Sequence, residues 1–189
     1  HAKKMFAHFD FDGEISEKLV HQLNSFLPPS IAVKKIFEVK EDFHARFSAK
    51  YRTYEYYISL EKNPFSEKFA WQHWRKTLDV GKMNEACKIL FEYEDFGSFA
   101  KVGADNKTNI CKIYHANWEQ NGNELKFTIS ADRFLRNMVR AIVGTMVEIG
   151  SGKLKPADLR NVIEAKNRGV AGTSAPAHAL FLVDVGYDF

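Results

Sequence analysis

The stretch Arg133-Phe134-Leu135-Arg136-Asn137-Met138-Val139-Arg140-Ala141-Ile142-Val143-Gly144-Thr145-Met146-Val147-Glu148 says more than any other part of this chain. At about 100° per residue, Leu135, Met138, Val139, Ile142 and Met146 share one helical face, and Arg133, Arg136, Asn137 and Arg140 share the opposite one. Gly144 continues that second face, so a backbone or a ligand has room to approach closely there. An apolar helix with an arginine stripe and no acid in the stripe suits an anion; the competing reading is a solvated surface face. A second basic segment favours the anion: Phe43-His44-Ala45-Arg46-Phe47-Ser48-Ala49-Lys50-Tyr51-Arg52-Thr53-Tyr54-Glu55-Tyr56-Tyr57-Ile58. Along a strand, Lys50, Arg52, Tyr54 and Tyr56 point to one side, and Tyr51, Thr53, Glu55 and Tyr57 to the other. Cations beside tyrosine rings are what a flipped or single-stranded base needs, the cations holding phosphates and each ring stacking on a base for roughly 1–3 kcal/mol. The same pattern also fits a strand whose tyrosines are half-buried at a sheet surface.

The 189 residues are 45% hydrophobic and 14% aromatic, ample for a packed core, so wholesale disorder is excluded. A net charge of only +3 does not by itself indicate nucleic acid. Its placement matters more, because the acids gather in Glu14–Glu17 and Glu92–Asp95 and leave the two quoted segments basic. Cys87 and Cys111 sit in apolar contexts without a CxxC partner and read as buried free thiols of a cytosolic protein, with a disulfide as the lesser alternative. The seven histidines show no ligand spacing, so neither a structural nor a catalytic metal is expected. No apolar run approaches the length of a membrane span and no signal-peptide pattern opens the chain, which leads us to expect the cytoplasm.

Met5, Ala7, Phe9 and Phe11 alternate with polar neighbours, which predicts a strand from Lys4 to Phe11. Ser16 then opens a helix with Leu19, Val20, Leu23, Phe26 and Leu27 on one face, ended by Pro28-Pro29. Ile31 to Val39 predicts a second strand, and Lys40-Glu41-Asp42 a domain joint. The segment from Phe43 to Leu60 reads as one long strand, and Glu61 to Trp74 as a loop. Asp79 caps a helix carrying Met83, Ala86, Cys87 and Leu90. Strands Cys111–Trp118 and Glu124–Ser130 are joined at Asn121-Gly122-Asn123, since Asn-Gly tolerates positive φ. The Arg133 helix follows, then a helix from Pro156 to Ala165 and a strand from Leu180 to Tyr187. Hairpins mixed with helices in long connections predict an α+β fold, antiparallel sheets with helices packed on one face.

Other chemistry is weaker. Ser98 and Ser174 have no partner histidine and aspartate at any recognisable spacing, so a hydrolase triad is unsupported. Gly144, Gly150 and Gly152 lie in and after a helix, which does not fit a phosphate-binding fingerprint. Asp95, Asp132 and Asp184 each have an adequate structural role, as loop cap, helix start and strand edge. His44 reads as packed or hydrogen-bonded locally.

Taken together, Phe43-His44-Ala45-Arg46-Phe47-Ser48-Ala49, Arg52-Thr53-Tyr54, Asp95-Phe96-Gly97-Ser98-Phe99, Phe134 to Met146, and Ala175-Pro176-Ala177-His178-Ala179-Leu180-Phe181-Leu182 resemble the tRNA pseudouridine synthase A family. The match spans nearly the whole chain in the family's order; Ala179 stands where the family usually has glycine. The resemblance implies a pseudouridine synthase-like fold of two similar domains. On that reading residues 1–42 are the second half of an incomplete N-terminal domain and residues 43–189 are the C-terminal domain. It further implies isomerisation of uridine to pseudouridine on the 3′ side of the tRNA anticodon stem-loop, without metal or organic cofactor, by a homodimer that binds the anticodon arm across both subunits. The target base is turned out of its stack and a catalytic aspartate works on the nucleoside. Carried over by position, Tyr54 resembles the ring that stacks on the base and is placed for proton chemistry. Arg140 resembles the partner of the aspartate, and Leu180 an apolar residue of the base pocket. Arg46, Lys50, Arg52, Arg133 and Arg136 are added on physical grounds as phosphate contacts.

The family's aspartate sits in a Gly-Arg-Thr-Asp-Ala-Gly-Val-His-Ala motif whose last two residues match His1-Ala2, four residues after it. The chain therefore reads as cut, lacking the aspartate and inactive as it stands. Arg140, without its counter-ion, is expected to swing toward solvent or to hold an anion, since breaking a buried pair costs roughly 3–5 kcal/mol. A non-catalytic tRNA-binding module is the alternative. An unrelated protein-binding α+β domain differs from both in having no salt-dependent affinity for tRNA.

Overall fold

Strand β1 (Tyr51–Ser59) is the axis of the sheet in the computed structural model, which describes residues 1–75 and 77–189. On one side β1 pairs antiparallel with β4 (Glu124–Ala131), from Arg52 opposite Ala131 to Ser59 opposite Glu124. On its other side β5 (Leu180–Gly186) runs antiparallel along Tyr51–Tyr56, and the short β2 (Trp71–Gln72) runs parallel beside Ile58 and Ser59. Strand β3 (Ile113–Asn121) completes the far edge as the hairpin partner of β4. The turn at Gly122, with φ of +57°, is the hairpin that Asn121-Gly122-Asn123 predicts.

Burial alternates strictly along β4, so Leu125, Phe127, Ile129 and Ala131 lie on the inner face. They join Tyr56 and Ile58 of β1, Trp118 of β3 and the apolar sides of three helices in one core. Helix α2 (Val80–Leu90) starts where the Asp79 carboxylate accepts from the Lys82 N–H at 3.0 Å. It buries Met83, Ala86, Cys87 and Leu90 as the spacing predicts, and Ile89 besides. Its Asn84 amide both donates to the Trp118 carbonyl (2.9 Å) and accepts from the Trp118 N–H (2.7 Å). A side chain thus occupies ladder positions on β3 and blunts that edge. Helix α3 (Met138–Gly150) is buried on nearly all sides, and α4 (Asp158–Glu164) is the short helix expected after Pro156. Cys87 and Cys111 are free and buried, and burial raises their thiols to about 12 and about 11, so neither is a reactive thiolate. Among the described residues no helix is long and apolar enough to cross a membrane.

The chain divides into two compact units. The larger comprises His1–Met5 and Ala49–Tyr187, with His1–Lys3 lying along β5: Lys3 N–H donates to the Leu182 carbonyl at 2.8 Å, and Leu182 N–H to the His1 carbonyl at 3.0 Å. The smaller comprises Phe6–Ser48 and Asp188–Phe189. In it α1 (Glu17–Phe26) follows Ser16 as expected, although Phe26, read as part of its apolar face, is exposed.

Two sequence expectations fail in the N-terminal part. Neither 4–11 nor 31–39 forms a strand, and β1 begins only at Tyr51. Alternating apolar residues make a strand only where the backbone finds a ladder and the apolar face a cover. Met5, Phe9 and Phe11 remain exposed instead. In the second segment the Asn24 amide takes both backbone groups of Val33, at 2.8 and 2.9 Å, where a neighbouring strand would have bonded.

Helix α3 meets the segment 171–175 with unusual closeness. A Cβ on Gly144 would fall 1.7 Å from the Thr173 carbonyl oxygen, and one on Gly172 would fall 2.8 Å from the Thr145 nitrogen. The expected close approach at Gly144 is therefore made by backbone. Gly144→Ala is predicted to destabilise the fold by about 3 kcal/mol, through displaced backbone rather than a repacked side chain. Urea denaturation with an unchanged m-value checks this, and an unchanged midpoint would contradict it.

Candidate active site

The arginine stripe is not one helical face. Asn137 has φ of +71°, a left-handed conformation that asparagine tolerates better than most residues, and helix α3 begins only after it. Of the four residues placed on the stripe, only Arg140 lies in the helix. Arg133, Arg136 and Asn137 belong to the turn that leads into it.

That turn and a nearby arginine direct polar side chains at the segment 174–175. The Asn137 amide donates to the Ser174 hydroxyl at 2.6 Å, and an Arg168 guanidinium nitrogen donates to the same oxygen at 2.8 Å. Ala175 N–H then donates to the Arg140 carbonyl (2.9 Å), while Arg140 Nε donates to the Ala175 carbonyl (2.6 Å). Arg140 is thus locked to a buried alanine by a reciprocal pair of bonds. It does not swing toward solvent, because the Ala175 carbonyl supplies a fixed acceptor of its own. Among the described residues no carboxylate pairs with it, so both terminal nitrogens of the guanidinium keep donor capacity.

Tyr56, fully buried, donates its hydroxyl to the Pro176 carbonyl at 2.8 Å. Burial pushes its phenol well above the usual range, and the nearby Arg140 charge opposes only part of that. Leu180 stands opposite Tyr56 in the ladder and is half-buried against the core. Tyr54, two residues earlier on the same face of β1, meets the Phe134 ring edge-on at 5.2 Å between centroids. Burial raises its phenol above 10.0, against the counteracting charge of Arg52. Tyr54 and Leu180 thus lie on the paired strands β1 and β5, and Arg140 is linked to β1 through the segment 175–176, which bonds to Tyr56.

The expected phosphate contacts are placed less uniformly. Arg52 donates to the carbonyls of Ala49 (3.1 Å) and Asp132 (2.7 Å), tying the start of β1 to the end of β4. Lys50 is exposed and its N–H continues the ladder to the Gly186 carbonyl at 2.8 Å. Arg136 is exposed and Arg133 half-buried on the turn before α3. Arg46 belongs to the smaller unit, over the Phe47 ring at 5.5 Å. There His44 Nδ1 accepts from the N–H of Arg46 at 3.1 Å, the local role expected of it.

The three aspartates also keep structural roles. Asp95 caps Gly97 N–H at 3.0 Å and pairs with Lys166 at 3.0 Å. Asp132 accepts from the N–H groups of Lys112 and Arg133, at 2.8 and 2.6 Å. Asp184 accepts from Lys4 at 2.7 Å and from Tyr51 at 2.9 Å. Sequence reasoning missed the pinning of Ser174 by Asn137 and Arg168. The available signal was asparagine directly ahead of an apolar helical run, a residue suited to positive φ.

A sequence profile described as tRNA pseudouridine synthase matches residues 86–188, more than half of the chain. The chain belongs to the tRNA pseudouridine synthase family. It is 54% identical over 189 residues to tRNA pseudouridine synthase A of Parabacteroides distasonis, covering 99% of this chain and 75% of that one. It is likewise 54% identical over 190 residues to the Bacteroides fragilis protein of the same name, with the same coverage. Against that of Bacillus subtilis it is 38% identical over 191 residues, spanning all of this chain and 77% of the other. Ala179 is fully buried at the end of a 3-10 turn.

Two outcomes follow from this tRNA pseudouridine synthase geometry. Ser174→Ala removes the shared acceptor of Asn137 and Arg168 and is predicted to cost about 1 kcal/mol, since both donors are half-exposed and water replaces part of the loss; chemical denaturation measures it, and a neutral change would contradict the pinning. Ultraviolet titration of the chain against its Tyr54→Phe variant should show the Tyr54 phenol ionising above pH 10.0; ionisation at or below that value would contradict its burial.

Proposed function

We propose that the site serves the isomerisation of uridine to pseudouridine in tRNA, on the 3′ side of the anticodon stem-loop. The observation that carries this reading is Arg140, half-buried and fixed by Ala175, with donor capacity left for an anion, on a segment that continues to Pro176, the acceptor of the Tyr56 hydroxyl. Isomerisation breaks the bond from ribose C1′ to uracil N1 and forms one from C1′ to C5; N1 gains a proton and C5 loses one. The carboxylate that attacks in this reaction is the motif aspartate placed four residues before His1. Arg140 is its partner. Leu180 walls the base pocket. Tyr54 acts as a stacking platform: with its phenol held above the ordinary range, it is neutral at pH 7 and unsuited to taking up a proton. Arg46, Lys50, Arg52, Arg133 and Arg136 supply the positive surface for the phosphates, Arg52 doing so from a position already anchored to two carbonyls. Cytoplasmic location and a homodimer belong to the same reading.

Tritium release from C5-labelled uridine in an anticodon stem-loop tests it, with this chain beside a longer protein that carries the motif aspartate. Release by the longer protein alone is expected. Release by the 189 residues would place the nucleophile among them, and none from either would leave a tRNA-binding module without chemistry. For Tyr54 the platform reading predicts that Tyr54→Ala weakens stem-loop binding by about 5- to 150-fold, while Tyr54→Phe keeps most of it. Equal losses in the two variants would favour the hydroxyl over the ring.

A further inference from the structure

An open cavity of about 700 Å³ lies away from Tyr54 and Leu180, between the loop after the 3-10 turn Gly97–Phe99 and the segment 166–169. Its walls include Lys101, Lys166, Arg168, Asn106 and Asn109. Lys166 is neutralised by Asp95 at 3.0 Å, so the excess charge comes from Lys101 and Arg168. Arg168 is preorganised: its terminal nitrogens donate to the Ala171 carbonyl (3.3 Å) and the Ser174 hydroxyl (2.8 Å), which fixes the guanidinium plane at the cavity wall. Lys101 is held at the other wall, its N–H bonded to the Arg136 carbonyl at 2.9 Å. One hydrogen bond therefore joins the cavity wall at Lys101 to the turn that carries Arg133 and Arg136, and another joins Arg168 to Ser174, next to the alanine that holds Arg140.

We propose that this cavity binds a backbone phosphate of the tRNA, outside the pocket for the target base. The inference rests on the proposed isomerisation and adds a contact that it does not contain. A fixed guanidinium, a mobile ammonium and two amide side chains are donors suited to a phosphodiester, which offers two anionic oxygens and no proton. The guanidinium and the ammonium have no acceptor, which makes them less suited to a base edge that presents donors as well as acceptors. The substrate is a long polyanion, and a phosphate held at this cavity fixes the register of the strand relative to Arg140, as phosphate contacts do in nucleic-acid complexes.

The test compares binding of an unmodified tRNA transcript to this chain, to Lys101→Glu and to Asn106→Asp across a salt series, with Lys88→Glu on the exposed side of α2 as the charge control. The two cavity variants should weaken binding by about tenfold at low salt, and Lys101→Glu should lower the salt slope by about 1, while Lys88→Glu changes little. Phosphate-ethylation interference should show a protected position on the tRNA that disappears in Lys101→Glu. Equal effects in the cavity and control variants would overturn the proposal, because the cavity would then be one part of a diffuse field. So would stabilisation of the chain by inorganic phosphate with unaltered tRNA binding, which would make this a site for free anions. If the unsubstituted chain fails to bind tRNA, the functional reading falls as well; if it binds and the cavity variants bind equally, only this inference falls.

Discussion

The contact between helix α3 and the segment 171–175 is the constraint on which the site depends. It is made at backbone distance, because Gly144 and Gly172 have no side chains to hold the two apart. The hydroxyl of buried Thr145 accepts from the Gly172 N–H at 2.9 Å, and Ala175 and Arg140 exchange a pair of bonds about one helical turn away. A backbone segment fixed in this manner has few alternative positions, and side chains bonded to it inherit that order. The placement of Arg140 follows from this. So does that of Leu180, which enters β5 after Ala175 has been tied to Arg140 and Pro176 to Tyr56.

Electrostatics acts on top of that framework. Arg140 is held by a neutral carbonyl, which orients the guanidinium without discharging it. A carboxylate or another anion arriving at its terminal nitrogens therefore meets a charge whose orientation is already set, and the ordering of a long side chain is not lost at that step. Tyr54 and Tyr56 of β1 feel the opposite effect, since burial disfavours the phenolate in both. Permanent cations, Arg140 near Tyr56 and Arg52 near Tyr54, thus stand beside neutral aromatic surface. Membership of the tRNA pseudouridine synthase family and the local chemistry point the same way.

Much of this was legible in the residues, for reasons that differ by element. The hairpin at Gly122, the Asp79 cap and the buried face of α2 rest on local rules, a positive φ, a short side-chain acceptor and a helical period, and each appears where expected. Gly144 was legible as a place of close approach because no other residue explains a bare spot on an apolar helix. The start of α3 was not. Leu135 is buried, so the apolar period runs through it unbroken, and periodicity reports burial rather than backbone conformation. The left-handed turn at Asn137 was visible only in the identity of one residue. The strands expected at 4–11 and 31–39 failed for another reason: alternation describes a face that needs covering, and these faces stay uncovered among the described residues. The pinning of Ser174 joins residues 137, 168 and 174, a long-range coincidence that no local pattern encodes.

The central claim is that the Ala175 carbonyl holds Arg140 in place. The most direct measurement is the Arg140 Nε–H resonance in a nitrogen–proton correlation spectrum, assigned by its loss in Arg140→Lys. A fixed bond of 2.6 Å predicts a single shifted Nε–H that exchanges slowly with water and remains visible at pH 7. A resonance averaged to the free-arginine position and exchanging rapidly would show a side chain loose in solvent, and would contradict a guanidinium fixed by Ala175.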